Sequence, residues 1–350
     1  MMNYVGIDFH KNYSFITEMN EAGVIKRQVK ISNARNTLTN YLDKLPSHSK
    51  LAIEATCNWY YFYELVEDHD IDIFLAHPLK TKAIASARLM NDKVSSATLA
   101  HLLRADLLPT AYIPDQHTRD IREVLRMYAF LIAQRTRLKN RVHAILMKNG
   151  LSCPYKDIFG KKSLHWLSDL TLRACYQDAI ASYTRLAEAF NHEINLLKQT
   201  IEELAYDHPY ARILDTHPGI SYYSGLLIAV EIGDIQRFPN HGKLCSYAGL
   251  VPTMHASGGK VRMGSITKQG SKWLRWILVE CALHAIRKSS HYHALYMRVA
   301  QKQGSGTARV AVARSMLRAI YAMLKVNRPY KERQLRSAPW GHNLIKGSEI

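Results

Sequence analysis

The segment Tyr4-Val5-Gly6-Ile7-Asp8-Phe9-His10-Lys11 decides how the N-terminal third is read. It is an apolar run of strand length that carries an acid near its end. A carboxylate there is costly unless it is exposed or paired. Downstream, Tyr13–Met19 and Val24–Ile31 read as two more strands, with Asn20-Glu21-Ala22-Gly23 as the turn between them. Asn36–Leu45 has helical pattern, and Lys50–Ala55 is a strand that again carries an acid, Glu54. Trp59–His69 reads as a helix, Ile71–Ala76 as a buried strand closed by His77-Pro78, Lys93–Arg104 as a helix and Thr110–Ile113 as a last short strand. Three antiparallel strands followed by alternating helices and strands predict an α/β domain with a mixed sheet over residues 1–114.

Residues 117–148 change character. Arg119, Arg122, Arg126, Arg135, Arg137, Lys139, Arg141 and Lys148 accompany an apolar seam of Ile121, Leu125, Leu131, Leu138, Val142 and Ile145. That is a long basic helix, ended by Asn149-Gly150. After a looser stretch, 151–175, a second long helix runs from Tyr176 to Tyr206. The two form a helical hairpin over 115–207. Periodicity does not say whether the seam is filled within the chain or, as a coiled coil, by a second copy. Residues 208–328 form a third, mainly helical unit. It has a turn at Thr216–Ile220, an apolar helix to Ile232, a short helical segment Phe238–Leu250, a loop over Val251–Ser271, and helices Lys272–Lys288 and Thr307–Lys325. Residues 329–350 read as a tail. The expected class is an α/β, RNase H-like N-terminal domain, then a long helical hairpin, then a mainly helical C-terminal domain.

Charge narrows the partner. The chain of 350 residues has 47 Lys and Arg against 29 Asp and Glu, a net charge of +18. Residues 208–350 hold 21 basic and 6 acidic side chains, whereas residues 1–207 hold 26 and 23. A positive half of this kind is the footprint of a polyanion. Its cations are scattered through patterned segments rather than gathered on one amphipathic helix, which favours nucleic acid over a membrane surface. No apolar run reaches the ~20 residues of a membrane span. The N-terminus lacks the marks of a signal or transit peptide. A cytoplasmic, nucleoid-associated protein is the expectation. Five cysteines, far apart and without a CxxC pair, fit buried thiols better than a disulfide framework or a zinc site.

Asp8, Glu54 and Asp92 each sit at an element end. Singly, each has an ordinary explanation: a turn acid, a surface acid and a helix cap. Together they predict acids converging above one sheet edge, where a divalent cation removes their repulsion. Such a site suits phosphoryl transfer, and hard oxygen donors favour Mg2+. A second candidate lies further on, where Gly249-Leu250-Val251-Pro252, Ala256-Ser257-Gly258-Gly259-Lys260, Gly264–Gly270 and Trp273-Leu274-Arg275 follow in series. Glycines let a backbone approach phosphate, and Lys260, Arg262, Lys268, Lys272 and Arg275 supply positive charge. Ser257 itself reads as a solvated loop serine, with no adjacent histidine base. His217-Pro218-Gly219-Ile220 is either an ordinary helix-start turn or a helix-hairpin-helix turn, in which Gly219 presents backbone amides to phosphate.

The segments Gly6–Lys11, Ile53–Thr56 and Asn91–Pro114, with the glycine and serine series, resemble the DEDD transposases of the IS110/IS1111 insertion-sequence group over about residues 3–325. The resemblance implies a RuvC-like domain with four acids, a serine nucleophile at Ser257, and DNA cut and rejoined through a phosphoserine. It implies donor and target DNA as partners, a bridge RNA as guide, and a dimer or tetramer. The two halves of such a site could come from different subunits. One position departs from the pattern. In Asn91-Asp92-Lys93-Val94-Ser95, Ser95 stands where the fourth acid belongs. Two rival readings follow: a metal-dependent Holliday-junction nuclease that ignores Ser257, and a nucleic-acid-binding chain disarmed at Ser95.

Overall fold

The computed structural model describes residues 2–56, 58–85, 91–257 and 260–332, and the side chains among them except those of 255–257 and 260–261. The chain separates into two compact units, Met1–Pro114 and Asp115–Ile350.

The first unit runs β1 (Asn3–Phe9), β2 (Tyr13–Asn20), β3 (Ile25–Ser32), α1 (Arg35–Leu42), β4 (Ser49–Glu54), α2 (Trp59–Glu67), β5 (Ile71–Ala76), α3 (Pro78–Ile84) and α4 (Asp92–Arg104). The sheet order is β3-β2-β1-β4-β5. β1, β2 and β3 pair antiparallel, while β1 with β4 and β4 with β5 pair parallel. This is the expected mixed RuvC-like sheet.

Its two faces differ because their residues alternate in size. Val5, Ile7, Phe9, Ile16, Leu51 and Ile53 point to one side and pack with Leu38, Leu42, Trp59 and Phe62 of α1 and α2. On the other side, Ala52 and Ala76 pack with Leu99 and Leu103 of α4. Gly6, two positions before Asp8, belongs to that second face. A Cβ on Gly6 would overlap the Ser96 carbonyl and come 2.5 Å from the Ala100 nitrogen. A bare strand therefore lets α4 lie directly on the sheet.

One expectation needs correction here. Residues 110–113 contribute a single antiparallel bridge, Thr110 to Ala76, rather than a strand. Pro109 and Pro114 bracket the segment and cannot donate to a ladder. The short helix α3 went unread although it opens on Pro78, a normal first helical residue.

The second unit contains α5 (Gln116–Lys148), α6 (Lys161–Ser168), α7 (Ala174–Asp207), α8 (Pro209–Asp215), α9 (Tyr222–Ile232), α10 (His241–Tyr247), β6 (Pro252–Ser257), β7 (Lys260–Ile266), α11 (Lys272–Lys288) and α12 (Ser290–Val326). α12 is broken at Gly304, whose φ is 80°. Asp115 caps α5 through the Thr118 amide, and Gly150, with φ 69°, ends it. Within the chain, the long helices pack on each other at both ends of the seam. Buried residues on α7 recur every seven positions: Ile180, Ala187, Ile194 and Ile201. One end packs with Val142, Ile145 and Leu146, and the other joins the main core of α8, α9, α11 and α12.

Residues 252–257 and 260–266, expected as loop, are strands, and Gly258-Gly259 lie outside the described residues. The two strands pair antiparallel, with Ser257 opposite Lys260. The sequence signal was Gly258-Gly259 between two strand-length runs, which favours a two-residue hairpin turn. The short helices α6 and α8 were also unread. Cys153, Cys175, Cys245 and Cys281 are free thiols. Among the described residues, no helix is long and apolar enough to cross a membrane. Most of the expected tail, from 333 onward, lies outside the described residues.

Candidate active site

The close seat of α4 on the sheet builds the acidic cluster. Asp8 and Gly6 share a face of β1, and Asn91 caps α4 by accepting from the Val94 amide, so that α4 begins with Asp92 beside Asp8. Register sets Ile7 beside Ile53, which places Glu54 next to Asp8 on the neighbouring strand.

Asp8 is held above the usual carboxylate range, first by burial and then by the charge of Asp92, with His10 and a hydrogen bond from Ser95 opposing. Burial, followed by the charge of Asp8, also raises Glu54. The acids therefore repel in a partly dry site, the condition that a cation relieves. Ser95 spends its hydroxyl on Asp8.

His10 was not foreseen in the sequence. Its Nε2 lies 3.5 Å from Asp8 Oδ1 and 3.4 Å from Asp92 Oδ1. That nitrogen is buried and makes no hydrogen bond. Tyr13 Oη donates to the other oxygen of Asp92 at 2.9 Å. The donor atoms of Asp8, His10 and Asp92 lie within 4.8 Å of one another, so these residues fit a divalent cation. Glu54 stands near this trio but outside it. The signal for His10 was only its place two residues after Asp8.

On the second unit, β6 and β7 carry the predicted serine and two of the predicted cations, Lys260 and Arg262. Ser257 closes β6, and Lys260 opens β7. Arg262, Lys268 and Lys272 are exposed. Lys268 has a φ of 54°, and Gly249 and Gly270 have φ of 67° and 105°. These residues set the crossing where the chain leaves the hairpin for α11. Arg275 is committed to that crossing. Its Nη1 donates to the Ala248 carbonyl at 3.1 Å, and burial lowers its pKa. Gly219 has φ 90°, and a Cβ there would sit 2.5 Å from the Ala285 nitrogen. Its glycine is required by the close approach of α11.

Glu231, 3% exposed at the end of apolar α9, was also missed. It accepts from Ser271 Oγ at 2.8 Å, and Arg126 Nη2 lies 3.3 Å away. Arg122 reaches the same corner and donates to the Val230 carbonyl. Ser271 in turn caps α11 through the Leu274 amide. The carboxylate thus ties the basic helix α5 to the start of α11. Arg119 and Arg122 are 5% and 7% exposed, so these two cations of the long helix face protein rather than a polyanion.

Comparisons with known proteins agree across both units. Residues 5–149 match the IS110-type DEDD transposase family, and residues 211–297 match the family described as Transposase IS116/IS110/IS902. The transposase for insertion sequence element IS1328 of Yersinia enterocolitica is 24% identical, over 79% of this chain and 82% of its own length. The transposase for IS1111A of Coxiella burnetii is 24% identical, over 61% of this chain and 60% of its own. A pilin gene-inverting protein of Moraxella lacunata is 26% identical, over 94% of this chain and 98% of its own.

Proposed function

Because the chain belongs to the IS110 family of insertion-sequence transposases, we propose that it cuts and rejoins DNA with Ser257 as nucleophile and with Asp8, Glu54 and Asp92 as the acidic site of a divalent cation. The observation that carries this reading is the convergence of Asp8 and Asp92 at the carboxyl edge of a RuvC-like sheet. The gene inversion named for the Moraxella lacunata relative supports recombination that conserves the number of phosphodiester bonds.

In this reading the Ser257 hydroxyl oxygen bonds to the scissile phosphorus as its proton leaves. The phosphorus–oxygen bond to the 3′ oxygen breaks, and that oxygen takes up a proton. Attack by another 3′ hydroxyl reverses the step and frees the serine, so no external energy source is needed. A bound divalent cation would stabilise negative charge on the phosphate and the leaving oxygen. The carboxylates of Asp8, Glu54 and Asp92 hold that charge in place, and Tyr13 orients Asp92. Arg262, Lys268 and Lys272 face the DNA backbone, as would Lys260. Bridge RNA as guide, a dimer or tetramer as the working assembly, and a cytoplasmic, nucleoid-associated location complete the proposal.

The test is strand transfer with element-end DNA, co-purified RNA and divalent metal. A covalent protein–DNA adduct should form and should vanish in Ser257→Ala, while Asp8→Asn should abolish cleavage. An adduct that survives Ser257→Ala sinks the serine chemistry and leaves a metal-dependent nuclease. The Ser95 hydroxyl on Asp8 favours a second reading, a chain that binds nucleic acid without cutting it. Activity appearing only in Ser95→Asp would establish that reading.

A further inference from the structure

We propose that His10 supplies a nitrogen ligand to the acidic site, beside Asp8 and Asp92, and that the mixed donor set prefers a first-row transition cation such as Mn2+ over Mg2+. This deepens the reading above and rests on the acidic cluster being a cation site.

The imidazole is placed for this role. Its Nε2 is aimed at one oxygen of each carboxylate, at 3.5 and 3.4 Å, yet it is buried without a hydrogen bond. Two donors on one cation, each about 2.1 Å from it, stand roughly 3.0–3.4 Å apart at right to tetrahedral angles. The observed separations lie close to that range. The residue is also anchored. Its carbonyl accepts from Asn33 Nδ2 at 2.7 Å and from Asn58 Nδ2 at 2.9 Å. Its ring lies against Tyr13, with centroids 4.7 Å apart. The same Tyr13 engages Asp92 Oδ2, which leaves Oδ1 to face the imidazole.

The chemistry follows from the donor set. Mg2+ favours oxygen ligands and retains water, whereas imidazole suits transition cations better. With the Ser95 hydroxyl on Asp8, the donor that stands closest to both Asp8 and Asp92 is the imidazole nitrogen of His10. A plain ion pair, in which a protonated His10 only neutralises the two acids, is the competing account. It predicts no metal–nitrogen bond.

The experiment uses the full chain, with Mn2+ and Mg2+ binding measured by calorimetry and the Mn2+ complex examined by pulsed electron paramagnetic resonance. A nitrogen coupling from imidazole is expected in the unmodified protein. His10→Ala should remove it and weaken Mn2+ by ~10-fold or more, the scale known for metal-site residues, with a smaller change for Mg2+. Absence of the nitrogen coupling, or equal weakening of both metals, overturns the proposal without touching the acidic site. Asp8→Asn keeps the two claims separable. Mn2+ binding lost in Asp8→Asn but unchanged in His10→Ala leaves the acidic site standing and removes His10 from it. If Asp8→Asn also binds Mn2+ normally, the acidic-site reading falls, and His10 falls with it.

Discussion

At Gly6 the sheet and α4 stand closer than any side chain permits, and the acidic site depends on that approach. Asp92 and Ser95 meet Asp8 because the α4 backbone rests on a strand position with no Cβ. Thr17 and Ser96, hydrogen-bonded at 2.8 Å beneath it, are small for the same reason. Gly6→Ala should push the start of α4 off the sheet. Overpacking of this kind costs typically about 1–3 kcal/mol. The expected outcome is a lower melting temperature together with loss of divalent-cation binding by calorimetry. Full stability and full binding in Gly6→Ala would show that Asp92 reaches Asp8 without the close contact. The three acids were legible because each closes or opens a patterned element. His10 was not, because a lone histidine after a strand looks the same whether or not a helix start from 80 residues later comes to face it.

Between elements, buried polar groups set the geometry, and these leave faint traces in sequence. His217 joins the turn between α8 and α9 to α12. Its Nδ1 meets the Pro218 carbonyl, an acceptor only, so Nε2 accepts from Tyr292 Oη at 2.8 Å. Burial lowers its pKa to about 4 from the ordinary 6.5. The unfolded chain therefore binds a proton that the folded chain refuses. Stability from this group is complete above pH 6.5 and is lost as the pH falls toward 4, by roughly 2 kcal/mol at pH 5. Hydrogen exchange in α9 and α12 should accelerate over that range, and His217→Gln should flatten the dependence. An equally steep profile in His217→Gln would assign the loss to other groups. The long helices and the first five strands were legible because their periods run over many residues. The β6–β7 hairpin was not, because its residues read as loop chemistry and only Gly258-Gly259 marked the turn. Glu231 was hidden in an apolar helix, where one acid resembles an error until its two arginines are seen.

Across the whole molecule, the charge of +18 was read from composition, but the structure sorts which cations face solvent. Arg119, Arg122 and Arg275 are buried or committed to carbonyls, whereas Arg262, Lys268 and Lys272 are exposed around the β6–β7 hairpin and the start of α11. Neutralising a phosphate releases condensed counterions, so the slope of log affinity against log salt counts such contacts, at about 0.9 per phosphate for duplex DNA. Replacing Arg262, Lys268 and Lys272 together by alanine should therefore reduce the slope by two to three, close to one per residue, and weaken binding similarly on any sequence. Arg275→Ala should behave differently. It removes the donor to the Ala248 carbonyl, lowers stability and changes the slope little. Fluorescence anisotropy on a labelled duplex, repeated from low to physiological salt, separates the two outcomes. A triple variant with an unchanged slope would move the DNA path away from the hairpin. The serine chemistry would then need another route to its phosphate, because Ser257 sits on the strand that leads into Lys260 and Arg262.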